Sequence, residues 1–255
     1  MLSKNRIKEL QSLSQKKFRN TSKTFLAEGD KIVFELLKSE FPLIEIICTQ
    51  KWLDEKGRGL SSQKELLVTV AEEFQLEKIS SLSNPSDIIA VCSFPEEKNE
   101  VEFKNNLILF ADAVRDPGNL GTLIRLADWF GVSQIIASED TVEWTNPKVI
   151  QSSMGSFIRL QPQYVNPVPF FSKVKGEIKV FAADLSGTNV YEAELTNECI
   201  LIVSSESHGL SSNLESFVNQ KIHIPKFSEN LSAAESLNVA TATAILLSEF
   251  KRRKI

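Results

Sequence analysis

Histidine and cysteine are scarce. Only His208 and His223, with Cys48, Cys92 and Cys199, occur in 255 residues. Zinc draws most of its ligands from these two residue types, so no metal site is expected. The cysteines are odd in number, far apart and set among apolar neighbours, which suits reduced core thiols and not a disulfide framework. No apolar run approaches the roughly 20 residues that cross a bilayer, and Met1 to Arg6 is polar with no secretory core. The expectation is a cytoplasmic protein with no membrane partner. Neither a G-x-G-x-x-G pattern nor a P-loop occurs, which argues against a dinucleotide fold and a nucleotide phosphate cradle.

What the chain does contain is enough apolar sequence for a sizeable core: 42% of residues are hydrophobic and 24% charged. Its length suits two domains of ordinary size. A net charge of −4 argues against indiscriminate nucleic-acid binding, yet the charge is uneven. Nine basic residues stand against four acidic ones in the first 38, Lys16, Lys17 and Arg19 among them, and the chain ends in Lys251 to Lys254. Lys16, Lys17 and Arg19 are candidate RNA contacts. The plainer reading is charge on solvated helix faces.

Periodicity predicts a helix over residues 3–18, a strand at Phe25 to Ala27, a helix at Asp30 to Leu37, strands at Leu43 to Cys48, near Leu67 to Val70 and at Ile88 to Ser93, and a helix at Ser61 to Leu67. Proline and charge at residues 94–100 mark a linker, giving domains 1–98 and 99–255. Beyond it, Leu107 to Ala111, Gln134 to Ala137, Lys179 to Ala183, Cys199 to Val203 and Lys221 to Ile224 read as strands. Leu120 to Phe130, Asn146 to Met154 and Ser236 to Lys251 read as helices. This βαβ order predicts an α/β fold with a mainly parallel sheet.

Three stretches carry the chemistry. Asp112 to Arg125 lies where a strand gives way to a helix, the usual ligand edge of an open α/β sheet. At helical spacing Leu120, Leu123, Ile124 and Ala127 share one face and Asn119, Thr122 and Arg125 another, so an amide and a guanidinium share a polar strip. In Ile200 to Ser211 a buried strand opens into a small-residue loop with Glu206 and His208, and a lone loop histidine is given no catalytic role. In Ala234 to Ala244, Ser236 is a candidate cap for a small-residue helix. Asn238, a poor helix former, suggests a specific bond for its amide.

Together these stretches resemble the three motifs of the SpoU (TrmH-type) family of RNA ribose 2′-O-methyltransferases, within the SPOUT superfamily. Asn119-Leu120-Gly121 with Arg125 matches the first motif and Ser236-Leu237-Asn238-Val239 the third, with Asn146-Pro147 and Ser153-Met154-Gly155 between them. The similarity covers about residues 105–255. Lys17-Phe18-Arg19 followed by Phe25 to Gly29 is similar to the ribosomal-protein-like RNA substrate-binding domain often fused ahead of it. The second motif departs from the family, with Ser204 and Ser207 at positions usually held by glycine, and the loop between Pro225 and Ser236 is longer than usual.

The resemblance implies a C-terminal α/β domain with a deep trefoil knot, S-adenosylmethionine as cofactor, structured RNA as substrate (ribosomal favoured over transfer RNA) and a homodimer. It implies catalytic roles for Arg125, Asn119, Glu206, Ser236 and Asn238. Cofactor contacts are implied from Ala183, Asp184, Ser204, Glu206, Gly209, Ile224, Leu237 and Asn238. Two other readings stand beside it: a catalytically silent RNA-binding or ribosome-assembly protein of the same fold, and a SPOUT enzyme that methylates a base nitrogen.

Overall fold

The structure, a computed structural model, describes residues 1–57, 66–96, 101–205, 209–228 and 235–252. Contacts divide the chain into two compact units, Met1–Glu97 with Thr145–Ile158, and Lys98–Trp144 with Arg159–Ile255. Most of the helix expected at Ser61 to Leu67 lies outside the described residues, and Leu67 itself opens a strand.

The first unit contains α1 (Lys4–Ser12), α2 (Lys16–Ser22), β1 (Thr24–Glu28), α3 (Asp30–Leu37), β2 (Leu43–Cys48), α4 (Gln50–Lys56), β3 (Leu67–Val70), α5 (Glu73–Ile79) and β4 (Ile88–Ser93). Its sheet runs β1-β4-β2-β3, with β4 antiparallel to both neighbours and β2 parallel to β3. Leu10 of α1 and Leu76 and Ile79 of α5 pack with Leu26, Ile47, Ile89 and Val91 of the strands. The single helix expected over residues 3–18 is two. Ser12 and Ser14 donate their hydroxyls to the carbonyls of Glu9 and Gln11, a local alternative to helix continuation. Arg19 then folds back from α2 and donates to the carbonyls of Leu13 and Ser14 at 2.7 and 2.8 Å.

The second unit contains β5 (Leu107–Asp112), α6 (Pro117–Trp129), β6 (Gln134–Ser138), β7 (Gln163–Val165), α8 (Pro167–Val174), β8 (Lys179–Asn189), β9 (Cys199–Ser204), β10 (Gln220–His223) and α9 (Val239–Arg252). Between β6 and β7 the chain supplies α7 (Pro147–Ser153) and a 3₁₀ turn at Ser156–Ile158 to the first unit. The six strands run β10-β8-β9-β5-β6-β7, every pair parallel. All six residues of β5 are buried, as a central strand covered on both faces requires. Phe110 packs at a tilt against Phe171 of α8, with centroids 4.8 Å apart, whereas Phe181 on the other face meets Phe250 of α9 at 5.3 Å. Helix α6 follows the expected periodicity: Leu120, Leu123, Ile124 and Ala127 are buried and Arg125 is exposed.

Candidate active site

Because β5, β9, β8 and β10 are parallel neighbours, their carboxyl ends fall on one edge of the sheet. The first motif starts there. Beyond Asp112 the chain turns through Ala113, held at φ +50°, a costly angle for a residue with a Cβ. Neighbouring side chains fix the turn. The N–H of Ala113 donates to Ser138 Oγ at 2.8 Å and that of Val114 to Thr141 Oγ1 at 3.2 Å. Asp116 caps α6 by accepting from the Asn119 N–H at 2.8 Å, and Pro117 fills the first helical position. Asn119 therefore sits at the edge. Arg125, two turns along, is exposed and makes no hydrogen bond or ion pair among the described residues.

The third motif meets the first. Asn238, not Ser236, caps α9: its Oδ1 accepts from the N–H groups of Ala240 (3.1 Å) and Thr241 (3.4 Å). The helix consequently begins three residues later than expected, and Ser236 and Leu237 are exposed residues leading into it. With the oxygen committed to the cap, Asn238 Nδ2 faces Asn119 and donates to its Oδ1 at 2.9 Å. That bond orients the second amide as well, so Asn119 directs an N–H donor, not an acceptor, to its other side.

Strand β8 bulges. Ala182 registers with Lys221 and Thr188 with Ile222, so Ala183 to Gly187 have no register partner on β10. At Gly187 a Cβ would come within 2.3 Å of the Lys221 carbonyl carbon, so only glycine lets the strands rejoin. Asp184 accepts from the N–H and hydroxyl of Ser186 at 2.9 and 2.7 Å and pairs with Lys221 at 3.0 Å. Partial burial pushes its carboxyl pKa upward, but the Ser186 hydrogen bonds and Lys221 outweigh this and hold it below the ordinary value. Its carboxylate shapes the bulge.

The second motif begins at Ser204, which registers with Asp112. Glu206, Ser207 and His208 lie outside the described residues. On their far side Gly209 has φ +65°, an angle suited to glycine, and donates its N–H to the Ser205 carbonyl at 2.9 Å. Ile224 follows β10, half-buried. Asp112 itself carried no role in the sequence reading. It is 1% exposed and accepts from Ser204 Oγ (3.2 Å), Ser211 N (2.8 Å) and Ser211 Oγ (2.8 Å). Its signal in the sequence was an acid closing an otherwise apolar strand.

In the first unit, Lys16 and Lys17 are exposed on α2. Arg19 corrects the RNA-contact expectation. It is 1% exposed, and its guanidinium closes the α1–α2 turn and does not reach solvent.

Ala183, Asp184, Ser204, Gly209, Ile224, Leu237 and Asn238 thus come from segments that leave the same sheet edge or return to it. The residues suit S-adenosylmethionine. The unpaired bulge supplies backbone groups outside the sheet ladder, and Leu185 within it and Leu237 ahead of α9 are exposed apolar side chains. The Ser204 hydroxyl, which replaces a hydrogen of the family's glycine, is turned onto Asp112.

The SpoU rRNA methylase family model matches residues 106–248, and an MRM3-like substrate-binding domain matches residues 4–90. The chain belongs to the SpoU rRNA methylase family. It is 32% identical to the 23S rRNA (guanosine(2553)-2′-O)-methyltransferase of Bacillus subtilis over 95% of this chain and 94% of that one. A TrmH-family RNA methyltransferase structure from Porphyromonas gingivalis superimposes with TM-score 0.88 at 36% identity, over 99% of both chains. An AdoMet-bound rRNA methyltransferase from Sinorhizobium meliloti superimposes with TM-score 0.86 at 25% identity, over 100% of this chain and 97% of that one. SpoU membership accounts for both the activity and the methyl donor expected from the motifs: RNA ribose methylation from S-adenosylmethionine.

Proposed function

We propose that this SpoU-family chain methylates a ribose 2′-hydroxyl of ribosomal RNA, the second unit holding the methyl donor and the first gripping the RNA. The observation that carries the reading is the Asn238–Asn119 hydrogen bond, which unites the first and third motifs at the strand edge. The Bacillus subtilis relative, similar over nearly the whole chain, supports 23S-type rRNA as substrate.

S-adenosylmethionine, when bound, supplies an electrophilic methyl group on sulfur. The residues that would hold it are Ala183, Asp184, Ser204, Glu206, Gly209, Ile224, Leu237 and Asn238. The protein's main task is orientation, since a ribose oxygen in line with the methyl group has already lost much of the entropy the reaction costs. Asn119 directs its N–H at the ribose, Ser236 leads into the helix that carries its partner Asn238, and Glu206 keeps the role that the family motif implies. The Arg125 guanidinium holds an RNA phosphate or steadies charge on the 2′-oxygen as its proton passes to solvent.

Exposed Lys16 and Lys17 contact phosphates in this reading. A homodimer also belongs to it, as the family resemblance implies, with Trp129, 83% exposed on the helix that carries Asn119 and Arg125, as a candidate anchor. So does the trefoil knot, supported by a chain path that leaves β10 at the sheet edge and returns through Asn238 to pack α9 on α6. Among the described residues no helix is long and apolar enough to cross a membrane, and no group of side chains suits a metal. A cytoplasmic site of action follows from the ribosomal substrate.

Ribose-methylation mapping of total RNA with and without the gene tests the function. One rRNA ribose methyl should disappear. A lost methyl on a base would support the base-methylating reading, and no change together with no S-adenosylmethionine binding would support the silent RNA-binding one.

A further inference from the structure

The geometry points to Asp112 as a positioning residue whose single buried carboxylate ties Ser204 at the end of β9 to Ser211 and so presets these two flanking segments for the methyl donor. The inference rests on the donor reading above. Asp112 Oδ1 accepts from Ser211 Oγ, and Oδ2 from Ser211 N and Ser204 Oγ, at 2.8, 2.8 and 3.2 Å. Its backbone carbonyl accepts from Ser205 N at 3.3 Å. One residue thus engages Ser204 and Ser205 where the loop leaves the sheet and Ser211 where it returns. Gly209 bonds Ser205 between them.

Asp112 is 1% exposed, and among the described residues no cation pairs with it. A buried carboxylate without a counter-ion is costly unless donors surround it. Here the donors come from the loop, so the loop and the carboxylate depend on each other. Were Ser204 and Ser211 to move away, the carboxylate would lose its partners; while they stay, the residues flanking the loop are arranged before any ligand arrives, and ordering them no longer weakens binding. Ser204 fits the same logic. Where the family usually has glycine, this chain adds a hydroxyl that turns onto Asp112 and supplies a third donor.

A purely structural acid would lower stability and leave donor affinity alone. The test is therefore calorimetric titration of the full chain with S-adenosylmethionine, comparing the parent with Asp112→Ala, Ser211→Ala and Ser204→Gly, alongside amide exchange without ligand. Losing hydrogen bonds to a charged acceptor should weaken donor binding about tenfold in Asp112→Ala, with a smaller loss in Ser211→Ala. Exchange should quicken at the amides of Ser205, Gly209 and Ser211 while those of α1 to α3 keep their rates. Should Asp112→Ala fail to fold, Ser211→Ala decides alone, since it keeps the carboxylate and removes only one hydroxyl. Binding within twofold of the parent in the folded variants overturns the inference. A parent that binds no S-adenosylmethionine overturns the donor reading instead, and the exchange rates still decide whether Asp112 fastens the loop.

Discussion

Lys17 and Arg19 stand two positions apart on one short helix and have opposite fates. A charge count treats them alike. Burial separates them: Lys17 faces solvent, and Arg19 spends its guanidinium on carbonyls that the end of α1 leaves unpaired. Arg19→Ala should therefore lower unfolding stability by about 2 kcal/mol, the scale of charge-assisted hydrogen bonds lost from a buried site. Thermal unfolding measures this, and an unchanged midpoint would contradict the structural role. Reversing Lys16 and Lys17 to Glu should instead leave the midpoint alone, weaken RNA binding and flatten its dependence on salt. Equal RNA affinity across a salt series would return both lysines to the solvated face. Arg125 was legible because helical spacing alone put it on the polar strip, and it is indeed exposed. Arg125→Ala should slow single-turnover methylation by about 10²-fold while S-adenosylmethionine still binds. Arg125→Lys should recover little, because an ammonium lacks the planar fork. Near-parent rates at saturating RNA and cofactor would remove Arg125 from the site.

Among the elements, the central strands were readable because burial on both faces leaves unbroken apolar runs such as Leu107 to Ala111. The short elements were not. Helix α4 buries only Trp52, α5 exposes Phe74 and carries an unusual capping box of Glu72 and Gln75, and β7 is three residues long. Helix α8 was masked by Pro167 and Pro169, both tolerated in a first turn whose N–H groups have no helical partner. The start of α9 was misread since serine and asparagine both favour the cap, and only the tertiary partner Asn119 distinguishes Asn238 from Ser236. This gives a clean separation of roles. Asn238→Asp keeps an oxygen for the cap and adds favourable charge at a helix N-terminus, so the thermal midpoint should hold or rise. It also places a carboxylate against Asn119 Oδ1, which forces that amide to turn its N–H inward and its carbonyl toward the ribose. Single-turnover methylation should fall about tenfold or more, the effect of one misdirected hydrogen bond at the reacting atoms. Parent-like methylation in a stable Asn238→Asp variant would mean that the orientation of Asn119 has no catalytic consequence.

At the scale of the whole molecule, a linker composition at residues 94–100 is visible in sequence, whereas a return of the chain to an earlier unit is not. Residues 145–158 follow β6 and precede β7, yet they pack with the first unit. The second unit fixes where this excursion leaves and re-enters. Tyr164 donates its hydroxyl to the Val142 carbonyl at 2.6 Å, and Arg159 grips Asp128 with contacts of 2.6 to 3.0 Å. Within the first unit, Phe157 is fully buried, its ring 5.8 Å from that of Phe25 and 5.6 Å from that of Phe41, both edge-on. Val149 and Ile150 of α7 are buried as well. Nothing in the local periodicity of these residues tells which sheet they will cover, because an apolar helix face looks the same whatever its partner. The consequence is that a cut at the linker does not yield a complete first unit. A fragment of residues 1–98 should unfold in urea at a markedly lower midpoint than the first unit of the intact chain, since deleting a single buried Phe side chain already costs about 3 to 5 kcal/mol. Phe157→Ala in the full chain should reproduce a large part of that loss without cutting the backbone, read from the fluorescence of Trp52, the first unit's tryptophan. If the 1–98 fragment unfolds at the same urea concentration as the first unit of the intact chain, and Phe157→Ala shifts nothing, then residues 145–158 rest on the first unit without stabilising it.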